Sequence, residues 1–193
     1  ILYRTNAQSR AIEEEMLKAN IPYRIVGSFY FYNRKEIKDL LCYLRLILNN
    51  DDEISLRRVI NVPKRGIGEA TLKKLEDEAR ANNTSMFQAI SKGKELKFKE
   101  LIVFMTKEIK DLSLTDLIDL ILEASGMRKE LEETKTLEDE IQLDNLKEFK
   151  SITQEFENRT GSESLEDLLA EIALVADISE HHGEGDAVTL MTT

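Results

Sequence analysis

The sequence is poor in residues that interrupt helices, form disulfides or build membrane spans. It has no Trp, one Cys, two Pro and eight Gly among 193 residues, and aromatic residues make up 6%. The single cysteine, Cys42, excludes an internal disulfide framework and fits a reducing cytoplasm. No apolar run approaches the length of a membrane span. Few helix breakers and many Leu, Ile, Glu and Lys together predict a mostly α-helical protein.

Positive charge is also scarce, but it is unevenly distributed. The chain carries 27 Lys and Arg against 37 Asp and Glu, and this net charge of −10 argues against a generic nucleic-acid coat. Residues 1–122 hold 21 basic and 18 acidic residues, whereas residues 123–186 hold 6 basic and 19 acidic ones. The first part therefore has the charge for a local contact with nucleic acid, and the second does not.

Strand-like runs open and close the chain around a helical body. Residues 1–4 and 23–26 are predicted strands on either side of a helix over 7–19, which is capped by Asn6. Ala187–Met191 is predicted to return as a strand. Between these runs, apolar spacing predicts helices at about 34–48, 53–60, 69–82, 85–91, 96–111, 114–125, 137–158 and 164–178.

This order predicts a mostly α fold with a small α/β edge. Residues 29–182 would be a helical insertion, flanked by residues 1–28 and 183–193 of an α/β subdomain. The chain begins at Ile1 without Met and inside an apolar run, so we expect a piece of a longer protein. Strand-forming natural termini are the alternative.

The strongest local chemistry lies where Gly66-Ile67-Gly68 stands directly before a predicted helix. Glycine permits positive φ and leaves the backbone uncovered, so helix-start amides can approach a phosphate. Residues 57–74 hold six basic residues and one acidic residue, and Ile67 would anchor the turn in the core. This pattern is typical of a helix–hairpin–helix element that holds a nucleic-acid backbone. The alternative is a turn with a solvated basic face. The predicted contacts at this stage are Lys64, Arg65, Gly66, Gly68, Lys73 and Lys74.

Two further stretches carry weaker signals. In Tyr3–Arg10, Arg4 could pair with a phosphate while Thr5 and Asn6 donate to it, and simple capping by Asn6 is the alternative. Phe31–Asp39 is predicted to be packing residues followed by a salt-bridged helix start.

The sequence offers little for catalysis or metal binding. His181-His182 is predicted to lie in a linker, Cys42 in the core, and Glu130–Glu140 on a solvated surface. There is no G-x-x-x-x-G-K-[ST] loop and no G-x-S-x-G arrangement. We therefore predict no catalytic residue, no metal ligand and no activity of the chain by itself.

Four ordered motifs together resemble one family. They are Leu2–Arg10, Phe31–Asp39, Lys64–Gly68 and Asp186–Thr192. They resemble the UvrD/Rep/PcrA group of superfamily 1 DNA helicases, most closely its PcrA branch. The resemblance implies the 2B subdomain of a 3′-to-5′ helicase with short 2A flanks. The cofactors ATP and Mg²⁺ would be bound elsewhere in the parent protein and not in this fragment, and the parent would act in DNA repair or replication.

The resemblance also implies roles for particular residues. Arg4 and Asn6 match residues that contact single-stranded DNA. Gly66, Ile67 and Gly68, with the flanking Lys64, Arg65 and Thr71, match the hairpin that contacts duplex phosphates. The expected partners are DNA, the rest of the motor and other proteins, with no membrane. The alternative function is a protein-interaction or autoregulatory module carried by residues 123–186, with little DNA binding. A free-standing enzyme is a third interpretation.

Overall fold

A computed structural model describes residues 1–4, 8–26, 30–162, 164–181 and 187–192. These residues form a mostly helical fold with a small parallel sheet, which confirms the predicted fold class. The elements are β1 (Leu2–Tyr3), α1 (Ser9–Lys18), β2 (Tyr23–Val26), α2 (Lys35–Leu48), α3 (Glu53–Val59), α4 (Glu69–Asn82), α5 (Met86–Ala89), α6 (Gly93–Glu108), α7 (Leu114–Ser125), α8 (Met127–Thr134), α9 (Leu137–Thr160), α10 (Leu165–His181) and β3 (Val188–Thr192). Short 3₁₀ turns cover Phe31–Asn33 and Ile109–Asp111.

The backbone divides into two compact units. The first comprises residues 1–38 and 134–193, and it contains the sheet with α1, α9 and α10. The second comprises residues 39–133, and it contains most of α2, all of α3 to α7 and most of α8. The subdomain boundaries expected after residues 28 and 182 stay a prediction.

The sheet of the first unit has the strand order β1-β3-β2, and all pairs are parallel. Leu2 is paired with Met191, and Tyr23 with Val188. The predicted α/β edge is thus confirmed, and the last strand of the chain lies between the two early ones. The buried cluster behind the sheet consists of Tyr3, Tyr23 and Leu190, with Ile12, Met16 and Leu17 of α1 packed against it.

Helix α1 begins at Ser9, two residues later than predicted. Gln8 occupies its N-cap position without a side-chain hydrogen bond to the helix. The expected cap Asn6 and the neighbouring Thr5 lie outside the described residues.

Two of the charged residues at the start of α2, Arg34 and Glu36, are buried, whereas Lys35 between them is exposed. Arg34 is 5% exposed, and its guanidinium donates to Ser9 Oγ and to Asn145 Oδ1, each at 2.7 Å. Asn145 Nδ2 in turn donates to Glu36 Oε1 at 2.5 Å. The prediction of a salt-bridged helix start is therefore wrong for Arg34 and Glu36. Their partner Asn145 belongs to α9 and is remote in sequence. The spacing of charges within one helix indicates only pairs three or four residues apart, so it could not predict this contact.

A carboxyl group is buried in the same network. Glu13 is 4% exposed, and it accepts hydrogen bonds from Ser9 Oγ at 2.7 Å and from the Phe31 amide at 3.4 Å. Burial raises the pKa of Glu13, and the neighbouring donors and the charge of Arg34 only partly offset this effect.

The second unit is built on apolar helix faces. The buried stripe of α7 comprises Leu114, Leu117, Ile118, Ile121 and Leu122. Cys42 lies in the core as predicted, at 5% exposure, and burial raises the pKa of its thiol. Helix α8 is not among the predicted helices. Its buried residues are Met127 and Leu131 at i, i+4 spacing, and two apolar residues in a segment rich in Glu give only a weak periodic pattern.

Candidate nucleic-acid interface

A tight turn between α3 and α4 in the second unit is held by a side chain from its own start. Asn61 Oδ1 accepts hydrogen bonds from the amides of Arg65, at 2.8 Å, and Ile67, at 3.2 Å. Ile67 is 2% exposed, so it anchors the turn in the core as predicted. Gly66 has a φ of +70°, a conformation that L side chains adopt rarely. Sequence reasoning missed Asn61, although an Asn before a glycine turn is a signal for this kind of side-chain bond.

Helix α4 starts with free backbone donors. Gly68 is its N-cap, with a φ of −106° and no side-chain hydrogen bond to the first turn. Among the described residues, nothing accepts from the amides of Gly68, Glu69 and Ala70. Gly68, Glu69 and Ala70 are exposed, and a Cβ on Gly68 would meet nothing within 4 Å, so the surface at this helix start is open. A helix start of this kind carries partial positive charge and favours an oxyanion such as a phosphate.

Arg65 points into the protein and not towards solvent. Its Nη1 atom donates at 2.8 to 3.4 Å to the carbonyl oxygens of Val59, Ile60, Val62 and Pro63. Two of these carbonyls belong to the end of α3, where the helix dipole concentrates negative partial charge. The guanidinium therefore closes the end of one helix and fixes the turn that follows it.

The second guanidinium nitrogen ties the turn to two other elements. Arg65 Nη2 donates to the hydroxyl of Tyr43 at 2.9 Å and to the carbonyl of Ser125, at the end of α7, at 3.0 Å. The cation also lies 5.3 Å from the ring centre of Phe98. Tyr43 donates to the Val62 carbonyl at 2.5 Å, and burial raises the pKa of this phenol to about 12.

The basic cluster of residues 57–74 is smaller than its sequence suggests. Arg57 forms an ion pair with Glu76 at 2.9 Å, and this hydrogen bond lowers the pKa of Glu76. Arg58 forms an ion pair with Asp39 at 2.7 Å, and Arg65 is engaged as described above. The cations that the structure leaves without a described ion pair are the exposed Lys64, Lys73 and Lys74.

The other residues predicted to contact DNA are Thr71, Arg4 and Asn6. Thr71 is half-buried in the first turn of α4, and its amide donates to the Gly68 carbonyl at 2.9 Å. Arg4 is exposed after β1, and its amide donates to Gln8 Oε1 at 3.0 Å. Arg4 belongs to the first unit and the hairpin to the second, while Asn6 lies outside the described residues.

The described residues contain no group of three or more His, Cys, Asp and Glu side chains that could hold a metal ion, and the sequence has no G-x-x-x-x-G-K-[ST] loop. His182 and the side chain of His181 lie outside what the structure describes. None of the helices in the described residues combines the length and the apolar character that a bilayer span needs.

Comparison with known proteins places these features in a family. The sequence profile of the UvrD-like helicase C-terminal domain matches residues 1–193. The chain belongs to this family. A relative from Staphylococcus aureus (strain Mu50 / ATCC 700699), ATP-dependent DNA helicase PcrA, is 46% identical over 205 residues. The protein of the same name from Staphylococcus epidermidis (strain ATCC 12228 / FDA PCI 1200) is 45% identical.

The alignment covers the whole chain, and the chain spans 28% of the length of these relatives. The resemblance inferred from four sequence motifs is thereby confirmed for the UvrD/PcrA helicase family. The individual site residues and the 2B subdomain stay predictions.

Proposed function

We propose that this chain is the 2B subdomain, with short 2A flanks, of an ATP-dependent DNA helicase, and that its hairpin binds the backbone of duplex DNA. The observation that carries the proposal is the open start of α4. Three adjacent amides lack described acceptors, and they follow a glycine turn that Asn61 and Arg65 hold in place.

The proposed mechanism is geometric and electrostatic. The amides of Gly68, Glu69 and Ala70 donate to phosphate oxygens, while the exposed Lys64 supplies a full positive charge beside them. Lys73 and Lys74 lie about one turn further along α4. Contacts of this kind position a protein on DNA without reading its sequence. Arg65 acts here as a positioning residue, since its guanidinium is occupied by protein acceptors.

The chain would serve as an accessory part of the motor and not as its ATPase. ATP hydrolysis, 3′-to-5′ movement and a role in repair or replication would belong to the parent protein. Arg4 and Asn6 would contact single-stranded DNA in that parent. This division is supported by the lack of a phosphate-binding loop and by the partial coverage of the relatives.

A salt titration of duplex binding tests the proposal. Lys64→Glu should weaken binding of a mixed-sequence duplex and lower the slope of log K against log salt, because each neutralised phosphate contributes about 0.9 to that slope. The matched control is Lys147→Glu, whose side chain is 74% exposed on α9. Fluorescence anisotropy measures both variants, and the same preparations should show no ATP turnover. If Lys64→Glu binds like the unchanged chain, the hairpin is not the contact.

The second candidate is a protein-interaction or autoregulatory module. It is favoured by an open groove of about 840 Å³ in the first unit, where apolar side chains such as Leu17, Phe156 and Ile172 alternate with charged ones such as Arg10 and Glu155. Leu174 on its wall is 62% exposed. A chain that binds no duplex DNA at low salt would favour this candidate over the first.

A further inference from the structure

A lysine from another helix lies against the hairpin. Helix α6 begins at Gly93, well after α4 in the sequence, and its second residue is Lys94. The Lys94 ammonium lies 2.6 Å from the place where a Cβ on Gly66 would stand. The missing side chain of Gly66 is thus what makes room for this cation.

The Lys94 ammonium is exposed and is not neutralised within the described residues. The ion pairs of the described residues do not include it, and no described acceptor takes a hydrogen bond from it. Glu95 is the carboxylate closest to Lys94 in sequence. Its two oxygens lie 2.8 and 2.9 Å from the place where a Cβ on Gly93 would stand, and it forms no described ion pair with Lys94. The acidic residue of the hairpin itself is the exposed Glu69.

Arg65 and Lys94, which both lie next to Gly66, therefore direct their charges in opposite directions. Arg65, which is adjacent in sequence, directs its charge inward to carbonyl oxygens. Lys94, which is remote in sequence, places its charge on the outside of the turn. A small ammonium on a flexible stem suits a single phosphate oxygen, because it needs no fixed bidentate geometry.

We propose that Lys94 is a phosphate-binding residue of the hairpin and supplies the outward charge that the sequence assigns to Arg65. The inference rests on the proposed function of the hairpin and adds a residue from α6 to it. Lys64 and Lys94 then flank the turn with two cations, and the free amides of α4 complete the donor set. One further phosphate is neutralised by this arrangement.

The test compares Lys94→Gln with Lys107→Gln on the same helix. Lys107 is exposed and stands about 20 Å further along α6, at 1.5 Å per residue. Binding of a mixed-sequence duplex is measured by anisotropy at several KCl concentrations. Lys94→Gln should lower the salt slope by about 0.9 and weaken binding several-fold at low salt, whereas Lys107→Gln should match the unchanged chain. Lys94→Arg should retain the slope.

The outcomes separate this inference from the function on which it rests. If Lys64→Glu weakens binding while Lys94→Gln leaves the slope unchanged, only the role of Lys94 is overturned. If the unchanged chain shows no salt-dependent duplex binding, the proposed function fails and the inference fails with it. Thermal melting of each variant should give an unchanged Tm, because Lys94 makes no described contact that folding needs. A lowered Tm together with an unchanged slope would make Lys94 a structural residue.

Discussion

At the scale of single residues, Arg65 joins the ends of two helices to the turn between α3 and α4. Its six acceptors are five carbonyls and one hydroxyl, and the Phe98 ring lies beside the cation. The basic character of residues 57–74 predicted a DNA contact here. Sequence reasoning could not separate an inward from an outward guanidinium, because the carbonyl of Ser125 is supplied by a distant segment.

Loss of the Arg65 side chain should destabilise the chain. Arg65→Ala should lower the free energy of unfolding by about 2–3 kcal/mol, because several carbonyls lose a charged donor together. Arg80→Ala is the control, and it should cost less than about 0.5 kcal/mol, since the side chain is 77% exposed and forms one ion pair. Urea denaturation followed by circular dichroism measures both. Equal stability of the two variants, with a reduced salt slope for Arg65→Ala, would assign Arg65 to phosphate binding.

At the scale of elements, periodic spacing and caps predicted most helices. Helix α7 lies where apolar spacing predicts a helix, and its cap Ser113 accepts from the Asp116 amide at 3.0 Å. Helix α9 also lies at a predicted position. Leu146 and Phe149 are buried, but Leu137, an apolar residue in the first turn of the same helix, is 80% exposed. The spacing of apolar residues indicates which of them share a face of the helix. It does not indicate how much of that face is packed against other elements of the protein.

The order of strands could not be predicted from the same signals. The predicted strands are present, but β3 separates β1 from β2. Strand order depends on long-range pairing, and the sequence reports only local propensity and alternation. The buried contact of Arg34 with Asn145 is missed for the same reason.

The start of α9 provides a test of an element. Thr136 and Asp139 form a capping box, in which each side chain bonds the backbone amide of the other residue. Thr136→Ala should lower the free energy of unfolding by about 1 kcal/mol, because the exposed cap has no other role in the described structure. Thr136→Ser keeps the hydroxyl and should remain close to the unchanged chain. A loss as large for Ser as for Ala would exclude capping as the cause.

At the scale of the whole molecule, net charge is a poor guide to the proposed contact. The chain carries −10 overall, yet the exposed lysines at the hairpin lie in residues 1–122, where basic residues outnumber acidic ones. Ion pairs with Glu76 and Asp39 offset the charges of Arg57 and Arg58, and hydrogen bonds to protein acceptors occupy the guanidinium of Arg65. The usable charge is therefore a property of the folded surface and not of the composition.

The buried Glu13 makes the stability of the folded chain depend on pH. Its pKa in the folded state is raised above 4.5, so the folded form binds the proton more tightly than the unfolded form. The stability from this group is fully present below pH 4.5 and is lost as the pH rises through the folded value. Glu13→Gln should remove this dependence, so the unfolding free energy of the variant minus that of the unchanged chain should grow as the pH rises above 4.5.

Urea unfolding at a series of pH values measures this difference. The groups that face Glu13 are Ser9, the Phe31 amide, Tyr23 and Arg34, and Arg34 stays charged over the range tested. The lost hydrogen bond in Glu13→Gln adds an offset that does not vary with pH. A difference that stays constant with pH would show that the carboxyl titrates as it does in the unfolded chain.

The placement of β3 makes the small sheet cooperative. In the described residues, β1 and β2 each pair with β3 and not with each other. A partly folded form in which residues 188–192 are unpaired therefore retains no sheet at all, because its two earlier strands share no hydrogen bonds. Formation of the sheet brings β3 next to strands that the whole helical body separates from it in sequence. The pairing of one short strand must therefore offset the loop-closure entropy of nearly the entire chain.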